Sequence, residues 1–185
     1  DLDNTVYPET SQIFSQIDKK MKEFISQKLN ISISEAYKIQ KKYFRENGTT
    51  LRGLMLYHDV EPSSFLKYVH DISITNINED KKLEVFLKNY TGKKIIFTNG
   101  TKEHAQRVLK KVSIISNIDS IFDIVDAGYI PKPYENTYKK IISKYGLKAE
   151  NTAMLDDIPI NLKTAKKLGL TTILIKKGLE QNSKF

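Results

Sequence analysis

The chain has 185 residues, 39% hydrophobic and 28% charged, with a formal net charge of +8 and a pI near 9.4. That size suits one domain, or a core with a modest insertion, able to bury a substantial apolar centre. The absence of cysteine excludes disulfides, thiolate nucleophiles and thiolate metal ligands. No apolar run is long enough to span a bilayer and no leader pattern opens the chain, so a non-membrane protein is expected, with the cytoplasm as the default location.

From about residue 10 to residue 77 the pattern is helical. Ile13, Ile17, Met21 and Phe24 recur every three or four positions and predict one apolar helix face. Ser32 with Glu35 has the spacing of a capping box opening a second helix, and Gly48 is a stop after it. Residues 51–58 and 63–70 read as two shorter helices separated by Pro62. After about residue 78, short apolar strands alternate with amphipathic helices. Strands are predicted at 94–98, 124–126, 152–155 and 171–175, and helices at 82–89, 103–112, 134–145 and 161–168. That alternation implies a parallel, doubly wound α/β sheet of Rossmann-like form with a helical block inserted near its start. Residues 1–8 and 80–185 are assigned to the core and 9–79 to the inserted helices. The tail after Gly178 is polar and expected to fray.

The positive charge could suit nucleic acid, but the lysines are spread in doublets along helices, as at Lys19-Lys20, Lys41-Lys42, Lys110-Lys111, Lys139-Lys140 and Lys166-Lys167. With no dense arginine–aromatic block, solvated helix faces that attract anionic metabolites are the better reading.

Four segments carry chemistry. Asp1 and Asp3 open the chain, Thr98-Asn99-Gly100 follows an apolar run, Lys132 lies in a Pro-flanked turn, and Asp156-Asp157 follows another apolar run. Ligands in open parallel sheets bind beyond the carboxyl ends of the strands, so the fold would gather these residues at one edge. Four carboxylates in one crevice repel one another, and a lysine with a divalent cation would counter that. Hard oxygen donors without nearby His or Cys favour magnesium over zinc. A carboxylate at Asp1 needs a strand before it that the chain does not contain, so a trimmed or fragmentary chain is expected.

These motifs resemble the phosphatase branch of the haloacid dehalogenase superfamily and span nearly the whole chain. The resemblance implies that Asp1 is the nucleophile, forming an aspartyl-phosphate. Asp3 would give a proton to the leaving oxygen, then activate water, while its backbone carbonyl ligates magnesium. Thr98, the Asn99 N–H and Lys132 would hold the phosphoryl oxygens. Asp157 would be the direct metal ligand, with Asp156 a second ligand or an orienter. Asp3 favours phosphate esters over carbon–halogen bonds, because halide leaves without a proton and an alkoxide does not. Asn161 stands where many relatives carry an acid.

Asp-Asn-Thr-Val-Tyr-Pro at the start, Asn47-Gly-Thr-Thr-Leu-Arg-Gly-Leu and Tyr68-Val-His-Asp71 are similar to the pyrimidine 5′-nucleotidase subgroup. The inserted helices would then be a substrate-selecting cap, and a nucleoside 5′-monophosphate the substrate, pyrimidine before purine. Thr50 could hydrogen-bond a nucleoside, and Arg52 could either offer a planar guanidinium to it or cap a helix. Tyr57 is assigned to packing within the bundle rather than to stacking on a base, and His104 to a surface or helix-terminal position. Alternatives are a phosphatase or phosphomutase for a sugar phosphate or phosphoglycolate, a receiver-like phosphoacceptor, or a basic nucleic-acid-binding module.

Overall fold

The structure, a computed structural model, describes residues 1–176, so the tail after Gly178 lies outside the described residues. The helical block forms as its periodicity predicts. Helix α1 (Ile13–Leu29) buries Ile13, Ile17 and Ile25 and packs Met21 and Phe24 against the same core. Helix α2 (Ile33–Asn47) opens on a complete capping box, in which the Ser32 hydroxyl accepts from the Glu35 N–H at 3.2 Å and the Glu35 carboxylate accepts from the Ser32 N–H at 3.0 Å. Gly48 ends α2 with φ at 77°, and a Cβ there would stand 3.2 Å from the Lys132 carbonyl oxygen. Glycine therefore permits both the left-handed turn and the close approach of this loop to the Lys132 turn. Helix α3 (Thr50–His58) is capped by Thr49, and α4 (Pro62–Val69) by Glu61, with Pro62 at its first position. Helix α1 packs on α2 and α4, and α2 on α3.

The remainder alternates as expected through α5 (Lys81–Asn89), β1 (Ile95–Phe97), α6 (Lys102–Lys111), β2 (Ser120–Phe122), α7 (Glu135–Tyr145), β3 (Ala153–Asp156), α8 (Pro159–Lys167) and β4 (Thr171–Leu174). The strands form two parallel pairs. Phe97 is opposite Phe122 in the first, and Asp156 opposite Leu174 in the second. Among the described residues the pairs are not hydrogen-bonded to each other. Asp1 lies against both: its main-chain nitrogen donates to the Leu155 carbonyl at 2.9 Å, and its side chain is tied through Lys132 to the Phe97 carbonyl.

One strand is displaced from its expected position. Residues 124–126 were expected to be extended, yet the strand lies at Ser120–Phe122. Asp123 is the cause. Its carboxylate accepts from the backbone N–H groups of Val125 and Asp126, making a local turn, and from that of Lys102 at the start of α6. The apolar run at 121–125 therefore bends after Phe122 instead of extending.

Two apolar clusters hold the fold. The larger joins the inserted helices to β1 and α6 through Leu2, Tyr7, Ile17, Leu54, Phe65, Ile96 and Leu109. The smaller joins Phe97, Phe122, Tyr138, Met154 and Leu162 across the two strand pairs. Burial is thus continuous between the helical block and one side of the α/β region.

Candidate active site

Lys132 is the hub. Its side chain is only 2% exposed, and its ammonium donates to Asp1 Oδ1 at 2.7 Å, Asp156 Oδ2 at 2.8 Å and the Phe97 carbonyl at 2.9 Å. Phe97 ends β1 and Asp156 ends β3, so the strand termini converge on this one cation. Burial pushes the ammonium below the ordinary lysine range, and the Asp156 charge and hydrogen bond oppose that. Asn99 fixes the lysine's backbone, accepting from the Lys132 N–H at 2.8 Å and donating to its carbonyl at 3.2 Å.

Asp156 is wholly buried, with every oxygen engaged. Oδ1 accepts from the Ile158 N–H at 2.8 Å and Asn161 Nδ2 at 3.0 Å, while Oδ2 accepts from Lys132 and, at 3.2 Å, the same amide. This explains the asparagine at 161: a carboxylate there would face Asp156 without a donor. Asp157 is less enclosed. Burial, followed by the Asp156 charge, pushes its carboxyl above the ordinary range. Single oxygens of Asp1, Asp156 and Asp157 come within 4.8 Å of one another. Hard carboxylate donors at that separation, one of them raised by a like charge, fit a divalent cation such as magnesium. The Asp3 carboxylate is not in this trio, so its only route into the expected metal set is through its main-chain carbonyl.

The N-terminal motif is held by a tight turn in which Thr5 and Val6 donate to the Leu2 carbonyl. That turn brings residues four apart together. The Thr5 hydroxyl donates to Asp1 Oδ2 at 2.8 Å, and the Tyr7 hydroxyl to Asp3 Oδ1 at 2.5 Å. Thr98 is buried and accepts from the Gly100 N–H at 2.9 Å, which does not commit its own O–H hydrogen.

Over these residues opens a cavity of about 270 Å³. Its chemical end includes Asp1, Asp3, Thr98, Asn99, Lys132 and Asp157, and the inserted helices contribute a far wall of Phe14, Met21, Phe44, Phe65 and Leu66 together with the polar Asp18, Gln40 and Lys41. Thr50 is on this wall, though its hydroxyl donates to the Gln40 carbonyl at 3.2 Å. Arg52 and Tyr57 are not. Arg52 belongs to the first turn of α3, where its N–H donates to the Thr49 cap, and Tyr57 is exposed beside Tyr43.

His104 meets the helix-terminal part of its expectation but not the surface part. Instead of a surface position it is 1% exposed, and its Nε2 lies 2.9 Å from Asp3 Oδ1. It stands in the first turn of α6, and that helix starts directly after the Thr98 motif, so its first turn points back at the site. Position relative to the motif was a usable signal; the rarity of paired histidines obscured it. The i, i+4 spacing of Asp1 with Thr5 and of Asp3 with Tyr7 was a second signal. Burial alone would raise Asp3, but the His104 hydrogen bond and charge, with the Tyr7 hydrogen bond, hold its carboxyl below the usual range. His70, from the end of α4, stacks on His104 with ring centroids 4.5 Å apart and 6° between planes.

Comparison with known proteins agrees with this geometry. Residues 1–169 match the family profile described as haloacid dehalogenase-like hydrolase, and the chain belongs to that family. It is 27% identical to a glyceraldehyde 3-phosphate phosphatase of Methanocaldococcus jannaschii over 96% of this chain and 83% of that one. It is 24% identical to phosphate metabolism protein 8 of Saccharomyces cerevisiae over 94% of its own length, but spans only 59% of that protein. Among solved structures it shares the fold of a HAD phosphatase from Thermococcus onnurineus, with a TM-score of 0.61 and 19% identity over 97% of this chain and 86% of that one. It also shares the fold of a Bacillus subtilis HAD-hydrolase described as bound to magnesium, with a TM-score of 0.60 and 15% identity over 95% and 86% of the two chains. Membership places the chain in a hydrolase family rather than among receiver-like phosphoacceptors.

Proposed function

We propose that the protein is a magnesium-dependent phosphate monoester hydrolase that works through an aspartyl-phosphate on Asp1, with pyrimidine nucleoside 5′-monophosphates as its preferred substrates. The observation that carries this reading is the meeting of Asp1, Lys132, Asp156 and Asp157 at the strand ends beneath the cavity. Asp1 attacks phosphorus. Lys132 on Oδ1 and Thr5 on Oδ2 hold its carboxylate aimed. Thr98 turns its O–H towards the phosphoryl oxygens. Asp3 protonates the departing oxygen as the ester bond breaks, then takes a proton from the water that cleaves the phosphoenzyme. Asp1 and Asp157, with Asp156 behind them, would hold magnesium, which supplies shielding between the anionic phosphate and the anionic nucleophile. Residues 9–79 act as the cap that selects substrate, with the core formed by residues 1–8 and 80–185.

The aromatic residues of the far wall, with the polar Asp18, Gln40 and Lys41 beside them, support a base-bearing leaving group. A triose would fill only the polar end of the cavity, whereas Phe14 and Phe44 offer flat surfaces for a ring. Thr50 stands on that wall, and Arg52 lies outside it. The second reading, a small sugar phosphate, is favoured by the archaeal phosphatase relative. Phosphate release from UMP, CMP, AMP and glyceraldehyde 3-phosphate, with magnesium and with chelator, separates the two. Preference for UMP and CMP is expected, magnesium-dependent and abolished in Asp1→Asn with the fold retained. Activity surviving Asp1→Asn would refute the nucleophile, and preference for the triose would refute the nucleotide.

A further inference from the structure

Asp3 lines the same cavity but lies outside the carboxylate trio, and its surroundings are built. Oδ1 receives the Tyr7 hydroxyl at 2.5 Å and His104 Nε2 at 2.9 Å. A carboxylate oxygen has two acceptor positions, so both on Oδ1 are filled. The His104 donor is fixed in place. Its ring is buried, and its Nδ1 meets no partner among the described residues, which leaves Nε2–H as the satisfied donor. The His70 ring lies flat against it, and His70 is itself anchored. Thr101 Oγ1 is 3.3 Å from its Nδ1, and Arg107 donates to the His70 carbonyl at 2.8 Å and the Ile72 carbonyl at 2.7 Å.

We propose that Tyr7 and His104, with His70 stacked behind, form a buttress that commits Oδ1 of Asp3 and reserves Oδ2 for the leaving oxygen of the substrate. This rests on the hydrolase reading above and assigns its positioning residues. Asp3, a carboxylate in the free site, takes a proton at Oδ2 from the bound monoester monoanion. That proton moves to the departing oxygen while the phosphorus–oxygen ester bond breaks and the Asp1–phosphorus bond forms. The attacking water later returns a proton to Oδ2. Tyr7 and His104 exchange nothing with substrate. They fix the plane in which Asp3 works, and imperfect alignment of an acid is felt only where a proton is needed.

The test compares kcat/KM, which reports steps through leaving-group departure, on an alkyl phosphate and on p-nitrophenyl phosphate, whose phenolate leaves unprotonated. His104→Phe keeps a flat ring against His70 and removes the donor; Tyr7→Phe removes the other donor; His104→Gln restores an N–H. In His104→Phe the alkyl ester should lose on the order of 10- to 100-fold more than the aryl ester, with His104→Gln recovering part of it. A thermal midpoint near that of the wild type identifies a folded variant, and should His104→Phe not fold, Tyr7→Phe carries the same comparison. Equal losses on both esters, or no loss on either, overturn the buttress while leaving the hydrolase reading intact. Absence of turnover by the wild type on both esters with magnesium overturns the two together.

Discussion

The two ends of the cavity are built on different principles. At the chemical end the most deeply buried charges are locked: Lys132 has three acceptors, both oxygens of Asp156 are engaged, and Asn99 and Asn161 brace the backbone and side chain behind them. At the far end Phe14, Met21, Phe44, Phe65 and Leu66 meet the space mainly through dispersion and area, with Asp18, Gln40 and Lys41 among them and with Phe14 and Phe44 partly open to solvent. Directional bonds fix a reaction geometry, and apolar walls tolerate variation in what is held. Chemistry that is common to a family can therefore sit beneath a selecting surface that changes freely.

Lys132→Met breaks the contrast most severely. It leaves two facing carboxylates in a buried site, and a loss of about 3–5 kcal/mol in unfolding free energy, together with phosphatase activity, is expected by denaturant titration. An unchanged midpoint would mean that the hub is not what holds the strand ends together.

A smaller effect concerns the joint between the two ends. Burial, then the His104 charge, depresses His70 to about 3, against 6.5 for an ordinary histidine. A histidine with a depressed folded-state value stabilises the fold above its unfolded value and loses that advantage as pH falls towards the folded one. Stability should thus fall between pH 7 and pH 5 by at most about 2 kcal/mol from this residue, since His70 retains some solvent contact. His70→Phe, which preserves the stack, should flatten that slope in parallel unfolding curves; identical slopes would exclude His70 as the source.

The least disruptive change sharpens the comparison instead. Phe44→Ala on the soft wall should raise KM for a nucleotide by about 10-fold, as expected for a lost ring contact of roughly 1–2 kcal/mol. Its turnover of p-nitrophenyl phosphate should stay near that of the wild type. A matching loss on both substrates would show that the wall shapes the chemistry as well as the choice.

What was legible beforehand divides along the same line. The helix and strand alternation, the capping box and the four acidic, hydroxyl and lysine motifs follow from periodicity and local chemistry, which a single sequence displays. The displaced second strand was hidden because its terminator, Asp123, acts through backbone donors at 102, 125 and 126. The His104–Asp3 contact was hidden because it joins residues 101 positions apart. Arg52 suited a ligand by chemistry alone; that it lies outside the cavity lining depends on how α3 packs, which a single sequence does not display.

The loop at Gly48 carries one more consequence. Its backbone approaches the Lys132 carbonyl so closely that a methyl group would have to displace it. The helical block and the turn of Lys132 thus meet at van der Waals distance at Gly48. Any rearrangement that lifts the helices away would part that contact, so it would be felt at the turn that carries Lys132.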